Sequence, residues 1–296
     1  KNGKGKEYDN NGLLIFEGEY LNGKRNGQCK EYNNGELVFE GEYSNGHIWN
    51  GKGKIYYRGN KLLFEGEVLN GIKIGKCKEY NYDGELIFGG EYLNGQRWNG
   101  KGKEYDCNDR LLFEGEYLNG LYLKGKLCNI KGWPVFEGEF LNGNIWNGKG
   151  KEYHYDGRIR SEVEYLNGLK NGKGKEYFFN RKLEYEGEFS NGKRNGRGKE
   201  YNKKGELIFE GEYLNGKRWN GNAKEYDLDN SEHLIYEGDY LNGQRWNGKG
   251  EKYINGELIF EGEYLKGERW NGKGKEYNTN GKLLFEGEFL NGLYRK

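Results

Sequence analysis

The stretch Leu207-Ile208-Phe209-Glu210-Gly211-Glu212-Tyr213-Leu214-Asn215-Gly216-Lys217-Arg218-Trp219-Asn220-Gly221-Asn222-Ala223-Lys224-Glu225-Tyr226 decides the fold. Leu207, Phe209, Gly211 and Tyr213 share one parity, and Ile208, Glu210 and Glu212 the other. That alternation has the period of a β-strand, and the run is too short and too rich in glycine for a helix. Asn215-Gly216 and Asn220-Gly221 follow. Asn-Gly accepts positive φ and is the strongest short hairpin signal. Lys224-Glu225-Tyr226 then reads as a second short strand before another polar turn. The unit is therefore strand, turn, strand, turn.

The same unit fills the chain. Its opening aromatic falls at Phe16, Phe39, Phe64, Phe88, Phe113, Phe136, Tyr185, Phe209, Tyr236, Phe260 and Phe285, with Ser161 in a degenerate copy. From Phe16 to Phe285 there are 269 residues over 11 intervals, a mean period of about 24.5. A period of this size kept from end to end marks a repeat array. The predicted fold is all-β: an elongated array of about twelve antiparallel β-hairpins, forming one domain over residues 1–296 with degenerate units at 121–165. Two strands per unit at roughly 4.8 Å each extend twelve units to about 110–120 Å as a twisted ribbon.

Glycine recurs at one slot inside the first strand of nearly every unit, as at Gly18, Gly115 and Gly211, although a strand interior ordinarily disfavours it. The expectation is that a ring from the adjacent strand lies over the bare backbone there. Val163 is the exception, in the unit that also lacks its leading aromatic. The flanking Glu17 and Glu19 and their equivalents face away from the rings, with the lysines of Lys-Gly-Lys opposite them. Strict alternation in Lys-Gly-Lys-Glu-Tyr then puts Tyr on the lysine face. Either that strand carries a bulge or some tyrosines point outward.

Composition narrows the function classes. Aromatic residues reach 16%, with 26 tyrosines, so burial is expected ring against neighbouring unit rather than in a thick interior. Lysine and arginine number 48 against 47 acidic residues, and the signs alternate instead of clustering. Nucleic-acid binding through phosphates calls for a basic stripe, so that partner class is disfavoured. No apolar run approaches the ~20 residues of a spanning helix. The absence of Met suggests a segment of a longer chain. Cys29, Cys77, Cys107 and Cys128 show neither zinc nor disulfide spacing, which points to an intracellular, reducing setting and to no metal.

The spacing Phe209, Gly211, Tyr213, Gly216, Gly221, with the further Gly of Gly272 and Gly274 in a later unit, resembles the MORN (membrane occupation and recognition nexus) repeat. The resemblance covers essentially the whole chain, in about eleven of twelve units. Departures are an inserted Trp, Asn where the family more often has His before Gly, and Ala223 in place of a Gly. The family implies a row of β-hairpins forming a rod or groove. It also implies scaffolding and protein–protein contact, often in cytoskeletal or ciliary assemblies, with lipid-headgroup binding as a proposed role. Enzymes carrying such repeats keep catalysis in a separate domain.

Six units insert a Trp before Asn-Gly: Trp49, Trp98, Trp146, Trp219, Trp246 and Trp270. Arg97, Arg218, Arg245 and Arg269 precede four of them. Each Trp either folds over its own hairpin or stands in an exposed row of partner anchors, since Trp and Arg dominate interface hot spots. These ten residues are the candidate partner-binding set. In residues 121–165, Leu127 is read as replacing a Gly, and Trp133-Pro134 as bending a strand or marking a partner-specific patch. No catalytic constellation appears: His47, His154 and His233 are unrelated in unit position. The leading expectation is a non-enzymatic scaffold that needs no cofactor and binds protein along its length. A peripheral adaptor for anionic phospholipid headgroups is the alternative, and a carbohydrate-binding module a weaker one. Open strands at the ends would be capped by flanking sequence or by end-to-end or homodimeric association.

Overall fold

The computed structural model describes residues 1–57, 61–227, 233–254, 257–278 and 282–295. Antiparallel strands alternate throughout them, and no helix occurs among them. The chain forms two compact units, Lys1–Trp146 and Asn147–Lys296. Both follow one plan, in which an aromatic strand such as Leu207–Leu214 pairs with a lysine–glycine strand on each side, here Lys193–Tyr201 and Lys217–Tyr226.

Turn chemistry sets the hairpins. Asn215 and Gly216 take φ of 52° and 87°, the paired positive values of a two-residue I′ turn. Each such turn also hooks onto the hairpin before it. The Asn215 N–H donates to the side-chain oxygen of Asn195 at 3.0 Å, and the Gly216 N–H donates to the carbonyl of Arg194 at 2.8 Å. Asn99 and Asn271 receive Asn119 and Asn291 in the same way. The Asn of the second Asn-Gly is thus an inter-repeat acceptor as well as a turn former.

The core is a line of rings on one face of each unit. Tyr185, Phe209, Tyr236 and Phe260 are almost wholly buried. Each stands edge-to-face with the second ring of its own strand and with that of the next aromatic strand. Phe209 lies 5.1 Å from Tyr213 and 6.2 Å from Tyr240, both near 82°. Such pairs contribute roughly 0.5–1.5 kcal/mol each beyond area burial.

Glycine makes room for this line, though not only as expected. Phe16 and Phe113 lie over Gly18 and Gly115 of their own strands, not of a neighbour. The tightest constraint is backbone against backbone: Gly211 pairs with Gly221, and a methyl on Gly211 would sit 2.1 Å from the Asn220 carbonyl oxygen. Adjacent-strand rings do cover the other glycines, as Tyr236 covers Gly250. Where the leading ring is lost, the space is exchanged. Ser161 is buried and donates to Glu152 at 2.9 Å, and Val163 fills the interior in place of glycine.

The tyrosine question resolves as an outward-pointing ring beside a bulge on the neighbouring strand. Glu200 pairs with Phe209 but Tyr201 with Leu207, so Ile208 is the extra residue. Tyr201 stays on the lysine face and donates to Glu186 at 3.0 Å, while Glu200 turns to the ring face. Register also corrects one assignment. Gly125 pairs with Gly138 and Leu127 with Phe136, so Leu127 takes the place of that inward Glu rather than of a Gly.

Gly211→Ala is expected to cost about 2 kcal/mol or more, because its methyl meets fixed backbone. Urea unfolding checks this against Gly216→Ala, whose penalty is confined to turn strain of about 1 kcal/mol. Equal losses would contradict the backbone-contact account.

Candidate functional site

The arginines and tryptophans singled out by sequence lie on or beside the ring face, and most are already engaged. Arg218 packs its guanidinium 5.2 Å from the centre of the Phe209 ring and donates to Glu200 at 2.8 Å. Tyr213 donates to the same carboxylate at 2.8 Å. Arg245 repeats the arrangement over Tyr236 with Glu225, and Arg97 over Phe88 with Glu79. The acceptor in each case is the Glu of Lys-Glu-Tyr one unit earlier, on the ring face where alternation puts it. Where that Glu is missing, the cation turns to its own strand. Lys252 occupies the acceptor position opposite Phe260, and Arg269 bonds Glu276 at 3.1 Å instead.

The indoles seal turns. Carbons of Trp98, Trp219, Trp246 and Trp270 lie 3.4–3.7 Å from where a methyl on Gly120, Gly243, Gly267 or Gly292 would sit, the glycine of the next hairpin's turn. Each Trp is bulged out of register, as Trp219 is between the pairs Tyr213–Arg218 and Glu212–Asn220. Trp49 lies similarly near Gly71 but is 42% exposed, the most open of the set. Trp146 is half-buried. The covering of backbone is therefore real, but it joins one hairpin to the next rather than closing a single one. Of the histidines, His47 is exposed, His154 meets the Phe179 ring and His233 lies 3.2 Å from Glu251.

The opposite face carries the open surface. Between Lys149 and Glu212 of the second unit, a groove of about 860 Å³ is floored by the bare backbone of Gly150, Gly174, Gly187, Gly198 and Gly211. Two rails flank the floor. One runs Lys151, Glu162, Lys175, Glu186, Lys199, Glu210, and the other Lys149, Glu164, Lys173, Glu188, Arg197, Glu212. Each strand carries like charges on both rails, and the sign reverses at every strand. Neighbouring members pair at 2.7 Å for Lys151–Glu162 and 3.2 Å for Lys199–Glu210. Leu166, Leu207 and Leu214, at ends of the aromatic strands, are exposed. The first unit has a shorter counterpart of about 600 Å³, where Gly89 interrupts a rail at a Glu position.

Electrostatics separate the faces. Burial pushes the Glu79 carboxyl up, but hydrogen bonds from Lys73, Tyr92 and Arg97 outweigh it and hold the group at about 2. Burial and the neighbouring carboxylate push the Tyr92 hydroxyl up. The charges of the groove are open to solvent, and their pairs contribute only tenths of a kcal/mol each. Because Glu79 titrates below its ordinary 4.5, its contribution to stability is full above that pH and is lost as pH falls towards about 2. Urea midpoints at pH 6 and pH 2.5 should therefore converge for wild type and Glu79→Gln, from a gap on the order of 2–3 kcal/mol at the higher pH. A gap independent of pH would exclude the ionised carboxylate as its cause.

The MORN repeat pattern matches the chain at residues 16–36, 164–181 and 185–206. No curated protein matches it. Among solved structures, a crystal structure of TcdB2-TccC3-Cdc42 is similar over 95% of this chain and 18% of that one, at 12% identity and a TM-score of 0.21. A structure of the Photorhabdus luminescens Tc holotoxin pore is similar over 98% of this chain and 16% of that one, at 10% identity and a TM-score of 0.16. The chain thus spans less than a quarter of the length of these neighbours, and superposition this poor carries no argument. MORN repeats in general serve protein or lipid interaction and are in general non-catalytic. The matched segments hold ring, glycine and Asn-Gly positions of the hairpins described above, and the chain carries MORN repeats at these three segments.

Proposed function

We propose that the chain is a non-enzymatic scaffold that binds protein segments on its lysine–glutamate face, in an intracellular, cytoskeleton-associated setting. The supporting observation is the groove from Lys149 to Glu212, which is open, repetitive and built from side chains that the core does not use. The arginine and tryptophan rows support that surface from behind, and Trp49 alone among them offers an open ring. Anionic headgroups are served less well, because Lys151, Lys175 and Lys199 each stand within 4 Å of a Glu that offsets their charge. Cytoskeletal or ciliary placement comes from the family resemblance.

A photo-crosslinking residue at position 175 or 199 in native extracts should yield protein adducts that the same residue at position 217, on the turn edge, does not. The reading is refuted if the groove positions give none while phosphatidylserine vesicles sediment the chain in a salt-sensitive manner.

A further inference from the structure

We infer that the occupant of the Lys149–Glu212 groove is an α-helix of a protein partner whose charges alternate in sign at heptad spacing. The inference rests on the protein-binding reading above and specifies what lies in the groove. Its basis is the charge order of the rails. Lys151, Glu162, Lys175, Glu186, Lys199 and Glu210 reverse sign at each strand, and the second rail reverses in step. The groove is therefore banded across its width, positive and negative by turns.

Strand spacing fixes the length of a band. Adjacent strands lie about 4.8 Å apart, so like charges recur about every 9.6 Å. A helix rises 1.5 Å per residue, and residues seven apart return to one face about 10.5 Å on, with opposite charges at the third or fourth residue falling midway. A helix crossing the strands some 24° off the perpendicular brings the two periods into step. An extended peptide matches only if it is tilted about 45°, which carries it off the rails within a few bands. Its side chains on one face recur about every 6.8 Å, which falls out of step with bands at about 4.8 Å after one residue pair.

The floor favours the same occupant. Positions 174, 187, 198 and 211, between the rails, face the ring side, so backbone alone floors the groove and small residues on the helix can approach it. Six bands span about 24 Å, which is about 16 residues of helix. The rail residues keep a third to a half or more of their side-chain surface open, as Lys175 does at 52% and Glu210 at 55%, so they can bond outward while paired sideways. Binding should be salt-sensitive and depend on charge order rather than on net charge.

The test uses the whole chain and two fluorescein-labelled 18-residue peptides of one composition and equal helicity by circular dichroism. One carries Glu at heptad spacing with Lys midway and Ala between, and the other lengthens the charge period to ten residues. Fluorescence anisotropy at low salt should show the heptad peptide binding at least tenfold tighter, with the difference closing at high salt. Lys175→Glu should weaken it about fivefold, and reversing the facing Glu of the peptide to Lys should restore it. Lys199→Gln serves if Lys175→Glu perturbs the fold. Equal binding of the two peptides, or indifference to both substitutions, overturns the proposal. If neither peptide binds while a photo-crosslinker at position 175 still labels a protein, the helix is wrong and the protein-binding reading stands.

Discussion

The structure depends on glycine meeting glycine across paired strands. At Gly211 and Gly221 the two backbones approach so closely that even a methyl would collide with a carbonyl oxygen. That closeness lets the Phe and Tyr side chains lie flat on one face, while alternation places the charged pairs on the other. The buried ring line and the open groove are thus opposite faces of the same strands. A single-layer sheet ordinarily lacks a second layer to cover its apolar face. Here rings, guanidinium groups and carboxylates lying along the strands supply the cover.

Much of this was legible in the chain itself. Alternation in Leu207 to Tyr213 and the recurrent Asn-Gly pairs specify strands and I′ turns locally, and such signals need no knowledge of distant contacts. The pairing of Glu17 with Lys6 and of Glu210 with Lys199 was readable because opposite charges at matched parity must face one another across a hairpin. What failed was any contact that skips a strand. Ile208 shifts the register by one residue and sets Leu207 opposite Tyr201, whose outward direction plain alternation already gives. Pairs between strands two apart, such as Arg218 with Glu200 across the Phe209 strand, were hidden because cross-strand pairing arguments reach only adjacent strands.

The groove was legible in its parts but not as a surface. Lysines and glutamates were assigned to one face, yet sequence alone gave no reason to prefer that face over the tryptophans as a contact. The indoles are conspicuous in sequence because Trp is rare and repeats there. Their contact with turn glycines such as Gly120 and Gly243 shows a packing role that only coordinates reveal. Conversely, the charged rails look like ordinary solvated strand residues until register shows that their sign order is uniform over six strands.

The inward Glu and the cation of the following unit form a joint that most units share, so those units could be duplicated or deleted in evolution without leaving a mismatch. Among the described residues, the last such joint of the first half is the one that lacks both partners. Leu127 stands where the acceptor belongs, and Ile145 stands where the next cation belongs. Either residue beside a common neighbour would make that neighbour find its counter-charge on its own strand or the strand before, as Arg269 finds Glu276 and Glu31 finds Arg25. At this joint the seam between successive hairpins is apolar, so acid that neutralises the carboxylates elsewhere would leave it unchanged.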